Sequence, residues 1–166
     1  KHRVAIIGGG TIGLCAVAIA KLATPHVHLY ARHDSQKRAG ELLGAKLDGA
    51  TDCDLVIDCA GTDASMLQAA NLCKPSATIL LLASYWGGLN MPAMQIMMKE
   101  IRVVSSMSQA RQGLMRDVDV AAATMAKNPL IATSIITHRL PLDAAEEAFS
   151  IAGNRAAGAI KVTINP

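Results

Sequence analysis

Val4-Ala5-Ile6-Ile7 runs straight into Gly8-Gly9-Gly10-Thr11-Ile12-Gly13, and an apolar stretch from Leu14 to Leu22 follows. The first four residues are all apolar and mostly β-branched, the pattern of a parallel strand buried on both faces. Thr11 to Leu22 is rich in Ala and Leu, lacks Pro, and is long enough for three helical turns. Between strand and helix stands Gly8-x-Gly10-x-x-Gly13. Its glycines answer three demands: a tight turn, close backbone approach to a pyrophosphate, and close helix–strand packing. Free N–H groups at the helix start, with the helix dipole, make such a turn an anion site without any basic side chain. By itself the motif is weak, and a glycine turn that serves only packing is the competing reading. The strand before it, the helix after it and a second apolar strand at Val27 to Tyr30 favour dinucleotide binding.

The rest of the chain repeats the alternation. Thr24-Pro25-His26 makes a turn before the second strand, and Asp34 or Ser35 is placed to cap a helix to about Leu43, closed by Gly44. A very short third strand fits Ala45 to Leu47. So little chain then remains before the fourth strand, Leu55 to Cys59, that the usual crossover helix must be trimmed to a loop. Ala64 to Leu72 reads as a helix ended by Lys74-Pro75, Thr78 to Leu82 as the fifth strand, and Ala83 to Asn90 as a loop. A helix from about Pro92 to Lys99 leads into a sixth strand, Arg102 to Ser106. Alternating strands and helices with right-handed crossovers predict an α/β Rossmann fold: a doubly wound, six-stranded parallel sheet with helices on both faces. The last third reads as helix (about Gly113 to Lys127), turn (Asn128-Pro129), strand (Ser134 to Thr137), helix and final strand (Ala159 to Ile164). Asp143-Ala144-Ala145-Glu146 has capping-box spacing before that last helix.

The 166 residues fit one domain, so residues 1–166 are read as a single unit with its own core. Only four residues are aromatic, so Ala, Leu, Ile, Val and Met must fill the interior. A net charge of +3 without a long basic block leaves nucleic-acid binding no electrostatic footprint. No apolar run reaches the length of a membrane span. No signal peptide precedes the first strand, and the abrupt start on that strand suggests a domain cut from a longer polypeptide. Cys15, Cys53, Cys59 and Cys73 form no CxxC pair and no metal-ligand spacing with the five histidines; they read as reduced core or near-core thiols of a cytoplasmic protein.

The second strand's end discriminates between cofactors. An acid there accepts hydrogen bonds from the 2′-hydroxyl of NAD and repels a 2′-phosphate. This chain places Ala31 at that point, then Arg32 and His33, with Gln36, Lys37 and Arg38 on the next turn. Arg32 offers a planar, permanently charged fork suited to phosphate, and His33 a further hydrogen bond. The reading is NADP over NAD; against it, Arg32, Lys37 and Arg38 could form an ordinary solvated helix face.

Gly8 to Leu14, Asp54 to Gly61, and the block Ile136-Thr137-His138-Arg139-Leu140-Pro141-Leu142-Asp143-Ala144-Ala145-Glu146-Glu147-Ala148-Phe149 together resemble the medium-chain dehydrogenase/reductase superfamily. The resemblance is to its cofactor domain, as in zinc-type alcohol dehydrogenases, and runs from end to end, closing on Gly158 to Val162. It implies that Thr11 and Ile12 give backbone N–H groups to the pyrophosphate and that Cys59, Ala60 and Gly61 line the nicotinamide-side ribose. Leu82, Ala83 and Ser84 would flank the nicotinamide, and Lys161 falls near a position where some members place a basic residue. It further implies a homodimer formed by edge-to-edge pairing of Arg102 to Ser106, with Met91, Met94, Met97 and Met98 in that interface or in ordinary helix core. The implied activity is hydride transfer between the nicotinamide cofactor and a small alcohol, aldehyde or ketone. The family's zinc-binding catalytic domain lies mostly upstream of the glycine turn, so zinc, where used, would belong there; no Cys, His or Glu here matches a zinc motif.

Candidate catalytic groups are few. His138 sits in an element remote from the chemistry in the resembled family. Asp58 ends a strand beside the cleft, where carboxylates commonly organise backbone groups. Tyr30 and Tyr85 lack Tyr-x-x-x-Lys spacing. The chain is therefore expected to bind cofactor without turning over substrate by itself, as a cofactor domain of an oxidoreductase. The alternative is a free-standing, non-catalytic nucleotide-binding module, sensory or structural.

Overall fold

A computed structural model of the chain describes residues 2–106 and 111–166. Six strands, β1 (Val4–Ile7), β2 (Val27–Tyr30), β3 (Lys46–Leu47), β4 (Cys53–Asp58), β5 (Cys73–Leu81) and β6 (Arg102–Ser105), form one sheet in the order β3-β2-β1-β4-β5-β6. Every pairing in it is parallel, with Val4 beside Val27 on one side and Leu55 on the other. This is the doubly wound order, whose direction of winding reverses at β1.

β1 shows why an uninterrupted apolar run was needed. Successive side chains point to opposite faces. Val4 and Ile6 join a core with Leu14 and Val17 of α1 (Thr11–Ala23) and Ala39 of α2 (Asp34–Leu42). Ala5 and Ile7 join a second core with Met66, Ala69 and Ala70 of α3 (Asp63–Leu72). A polar residue at any of the four positions would be buried without a partner. The loop 48–52 connects β3 to β4 directly, so the crossover helix is indeed missing there.

Several boundaries differ from the sequence reading. His33, not Asp34 or Ser35, is the N-cap of α2, whose first residue is Asp34; the helix ends through Gly44 at φ +87, a conformation suited to glycine. Lys74-Pro75 does not separate α3 from β5 but lies inside β5. Pro75 falls where the register between β4 and β5 shifts and Ser76 takes φ +59, an irregularity that accommodates a residue without a ladder N–H.

α4 (Ala93–Met98) precedes β6, which ends one residue before Ser106. The helix expected from Gly113 starts later, as α5 (Asp117–Lys127), because Gly113 at φ +63 turns a small antiparallel hairpin of β7 (Arg111–Gln112) and β8 (Met115–Arg116). The strand expected at Ser134 is corrected to a helix, α6 (Leu130–Ile135), followed by β9 (Ile136–Pro141). Ile131 and Ile135, one turn apart, both enter the first core, and that burial outweighs the strand preference of the β-branched run. The Asp143–Glu146 capping box does not form. Residues Leu142–Ala144 make a 3-10 turn, and α7 (Ala145–Gly153) starts on Ala144 with no side-chain cap. β10 (Lys161–Asn165) pairs in parallel with β9 as a separate two-stranded sheet. Among the described residues, no helix is long and apolar enough to cross a membrane.

Candidate functional site

The glycine turn occupies the point where the sheet's winding reverses, and sterics distinguish its members. Gly8 bonds from its N–H to the Tyr30 carbonyl at 2.9 Å and takes φ +106; a Cβ there would lie 3.0 Å from the backbone of Cys59 and Ala60. A Cβ on Gly13 would lie 1.8 Å from the Gly8 carbonyl oxygen. One on Gly9 would meet Ala31 Cβ at 2.6 Å and Gln36 Cβ at 2.8 Å. Around Gly10, by contrast, nothing among the described residues comes within 4 Å of an added Cβ. Three glycines are thus required by the protein's own packing, and the fourth borders open space.

That open space adjoins the start of α1. Gly10 is its N-cap, with no side-chain capping bond and no acid in the first turn. The Leu14 N–H is the first to return to the Gly10 carbonyl, at 2.9 Å. The N–H groups of Thr11, Ile12 and Gly13 therefore precede the helical ladder, where positive potential gathers.

A cleft of about 780 Å³ surrounds this turn. Gly8, Gly10, Thr11, Ile12 and Gly13 form its floor, Ala31, Arg32 and His33 one wall, and Cys59 with Ala60 the opposite one. Ala31 packs against Gly9, and Arg32 is exposed at the rim. Other predicted residues sit elsewhere. Lys37 lies along α2, its ammonium 3.7 Å from Asp34, and is not part of the lining. Gly61 packs behind the wall against Ala83 and Ser84; Leu82 and Ala83 donate their N–H groups to the Asp58 carbonyl at 3.0 and 3.1 Å. Lys161 opens β10. His138, on β9, places its ring Nδ1 2.9 Å from Thr137 Oγ1 and is not in the lining.

The cleft also contains residues that the sequence reading missed. Gly9 could have been found, since three consecutive glycines ask for a reason at each position. Tyr30, Asp48 and Gln68 had no local signal. Ala159 and Ile160 arrive from the far end of the chain, where the Thr11 hydroxyl donates to the Ile160 carbonyl at 3.3 Å.

Asp58 behaves as expected of a strand-end carboxylate. It is fully buried, and Oδ1 accepts from the N–H groups of Ala60 and Gly61 at 2.8 and 3.2 Å. Beside it, burial, then Asp58 and Cys15, push the Cys59 thiol up to about 12, so it is no ready nucleophile. Among the described residues, no group of three His, Cys, Asp or Glu side chains is placed to hold a metal ion.

A family model described as zinc-binding dehydrogenase matches residues 11–127. The chain belongs to this family. The match is to the cofactor domain of these medium-chain dehydrogenases/reductases. An alcohol dehydrogenase of Cupriavidus necator is 25% identical across 99% of the chain and 50% of its own length. The chain spans about half the length of the curated relatives it matches. Among solved structures, a Sinorhizobium meliloti 1021 protein described as a zinc-binding dehydrogenase, bound to NADP, is 27% identical with a TM-score of 0.76 over 100% of this chain and 53% of its own. An alcohol dehydrogenase of Thermotoga maritima, 19% identical, shares the fold at a TM-score of 0.85 over 100% of this chain and 50% of its own.

Proposed function

We propose that this zinc-binding dehydrogenase domain binds a nicotinamide dinucleotide, NADPH in preference to NADH, for an oxidoreductase acting on a small alcohol, aldehyde or ketone. The observation that carries the reading is Gly10: its neighbours Gly8, Gly9 and Gly13 are glycine because the protein fills the space beside them, whereas Gly10 is glycine beside space that the protein leaves open. A pyrophosphate fits that space, facing the N–H groups of Thr11 and Ile12. Arg32 and His33 would receive the 2′-phosphate, with Lys37 adding charge from the next turn. NADP bound to the S. meliloti relative supports this choice. Cys59, Ala60 and Gly61 would adjoin the nicotinamide-side ribose, and Leu82, Ala83 and Ser84 the nicotinamide. The bound nicotinamide supplies the hydride. The chain's part is to orient it, while substrate activation, with zinc where it is used, falls to residues outside these 166.

We also assign the homodimer contact to β6. It is one of the sheet's two edge strands, its Val104 is 45% exposed, and nearby α4 buries none of its residues. Met94, Met97 and Met98 stand in solvent and so are not helix core. Four free thiols suit a reducing cytoplasm.

Titration with NADPH and NADH at fixed salt tests the cofactor assignment. NADPH binds more tightly, and Arg32→Ala weakens it about tenfold while leaving NADH within about twofold, the loss of one charge-assisted contact. Equal affinities in the parent chain overturn the role of Arg32. Binding of neither cofactor overturns the dinucleotide reading.

A further inference from the structure

The Asp58 carboxyl group links three segments at one end of the cleft. Its Oδ1 holds the Ala60 and Gly61 amides of the β4 exit. Its Oδ2 accepts from the Ser65 hydroxyl of α3 at 2.8 Å and from the Tyr85 hydroxyl of the β5 exit at 2.7 Å. Ser65 and the two amides lie within seven residues of Asp58, so a local turn can supply them. Tyr85 comes from 27 residues away, and nothing in the local turn requires it.

The two exits are in direct contact. Gly61 takes φ +69, and a Cβ there would lie 2.8 Å from Ala83 Cβ and 3.1 Å from the Ser84 carbonyl oxygen. A shift of the β5 exit therefore moves the β4 exit. The other end of that loop is also tied to α3. The Asn90 N–H donates to Asp63 at 2.9 Å and its side-chain amide donates to the same carboxylate. Between these anchors, Trp86 is 91% exposed. Burial, then the hydrogen bond to Asp58, raises the Tyr85 phenol above its ordinary range, so its hydroxyl remains a donor through mildly alkaline pH.

We propose that Tyr85 is a positioning residue: by donating to Asp58 it fixes the β5 exit against the β4 exit and so shapes the nicotinamide-side half of the cleft, leaving the adenosine-side half unaffected. This rests on the dinucleotide reading above. Tyr85 acts through Asp58 and Gly61 and needs no contact with the cofactor.

The test is Tyr85→Phe in the full chain, with Kd measured for NADPH and for the adenosine-side fragments 5′-ADP and 2′,5′-ADP. The ring stays and one hydrogen bond to a charged group is lost. NADPH then weakens about three- to tenfold, while the fragments stay within about twofold. Amide exchange at Leu82 and Ala83 quickens. Asn90→Ala, which removes the side-chain bond of the loop's other anchor and leaves its backbone N–H bond to Asp63, weakens NADPH in the same direction and keeps the test open should Tyr85→Phe not fold. Equal losses for NADPH and fragments, with a lowered Tm, overturn the proposal in favour of a merely structural tyrosine. Unchanged NADPH affinity in both variants overturns it while leaving the dinucleotide reading intact. If the parent chain binds neither NADPH nor fragments, the dinucleotide reading fails and takes this proposal with it.

Discussion

Gly10→Ala and Gly13→Ala are the same change three residues apart, and the structure assigns them opposite consequences. At Gly13 the new Cβ lies 1.8 Å from the Gly8 carbonyl oxygen, where real Cβ contacts do not fall below 3.0 Å. The turn must open by more than an ångström, against a Gly8 already bonded to Tyr30 and packed on Cys59 and Ala60. Overpacking of backbone against backbone, with little freedom to relax, costs about 3 kcal/mol. For a domain of this size that lowers Tm by roughly 6–12 °C. At Gly10, φ −75 and ψ −175 suit alanine, and nothing among the described residues comes within 4 Å. A Gly-to-Ala change at a compatible position gains about 0.4–1 kcal/mol through the unfolded state, while alanine at an N-cap gives back a similar amount. Tm therefore stays within about 3 °C, yet the methyl group occupies the space proposed above for pyrophosphate, and on that reading NADPH affinity falls at least about tenfold. Differential scanning calorimetry and a fluorescence titration read the two quantities separately. Undiminished binding by Gly10→Ala would show that no ligand approaches there. An unshifted Tm for Gly13→Ala would refute the packing argument.

Two further outcomes concern stability. Lys99 donates from its ammonium to the carbonyls of Ala70, Asn71 and Cys73 at 2.9, 3.0 and 2.7 Å, covering the C-terminal end of α3. Lys99→Met keeps the apolar stem and loses the donors and the favourable dipole contact, so urea unfolding shows a loss of about 1–2 kcal/mol, and an unchanged midpoint would refute the capping role. The Lys74 ammonium and the Arg3 N–H hold the Asp54 carboxyl well below the ordinary carboxylate range. Because the folded value is depressed, this pair stabilises the fold above the unfolded pKa of about 3.9 and stops doing so as pH falls towards the folded value. Asp54→Asn should therefore flatten the stability profile on the acid side of pH 4, less so in high salt, and parallel acid limbs for parent and variant would exclude the linkage.

β1 was legible because a strand buried on both faces leaves a simple trace, four apolar residues with nothing polar among them, and the doubly wound sheet followed from strands alternating with helices through right-handed crossovers. The trimmed β3–β4 connection was equally legible, since chain length alone forbids a helix there. What could not be read locally is what packing decides. Ile131 and Ile135 belong to a helix because α1 and α2 offer them a core, and the residues themselves prefer a strand. Asp143 and Glu146 had capping-box spacing, but the chain enters α7 through a 3-10 turn, which takes Asp143 out of the N-cap position. Around the cleft, the glycine turn came from motif spacing, Ala31 to His33 from their place at the end of the second strand, and Cys59 and Ala60 from the family resemblance, whereas Tyr85 and Ile160 carry no local mark. Their roles arise from partners 27 and 149 residues away.

The bond from Thr11 to Ile160 has a consequence for synthesis. The glycine turn and the six parallel strands are complete by Ser105, yet part of the cleft lining waits for a segment 149 residues behind Thr11. A nascent chain can thus display a Rossmann sheet well before it owns a finished pocket, and capture of the cofactor becomes a late checkpoint on translation instead of a template for early folding.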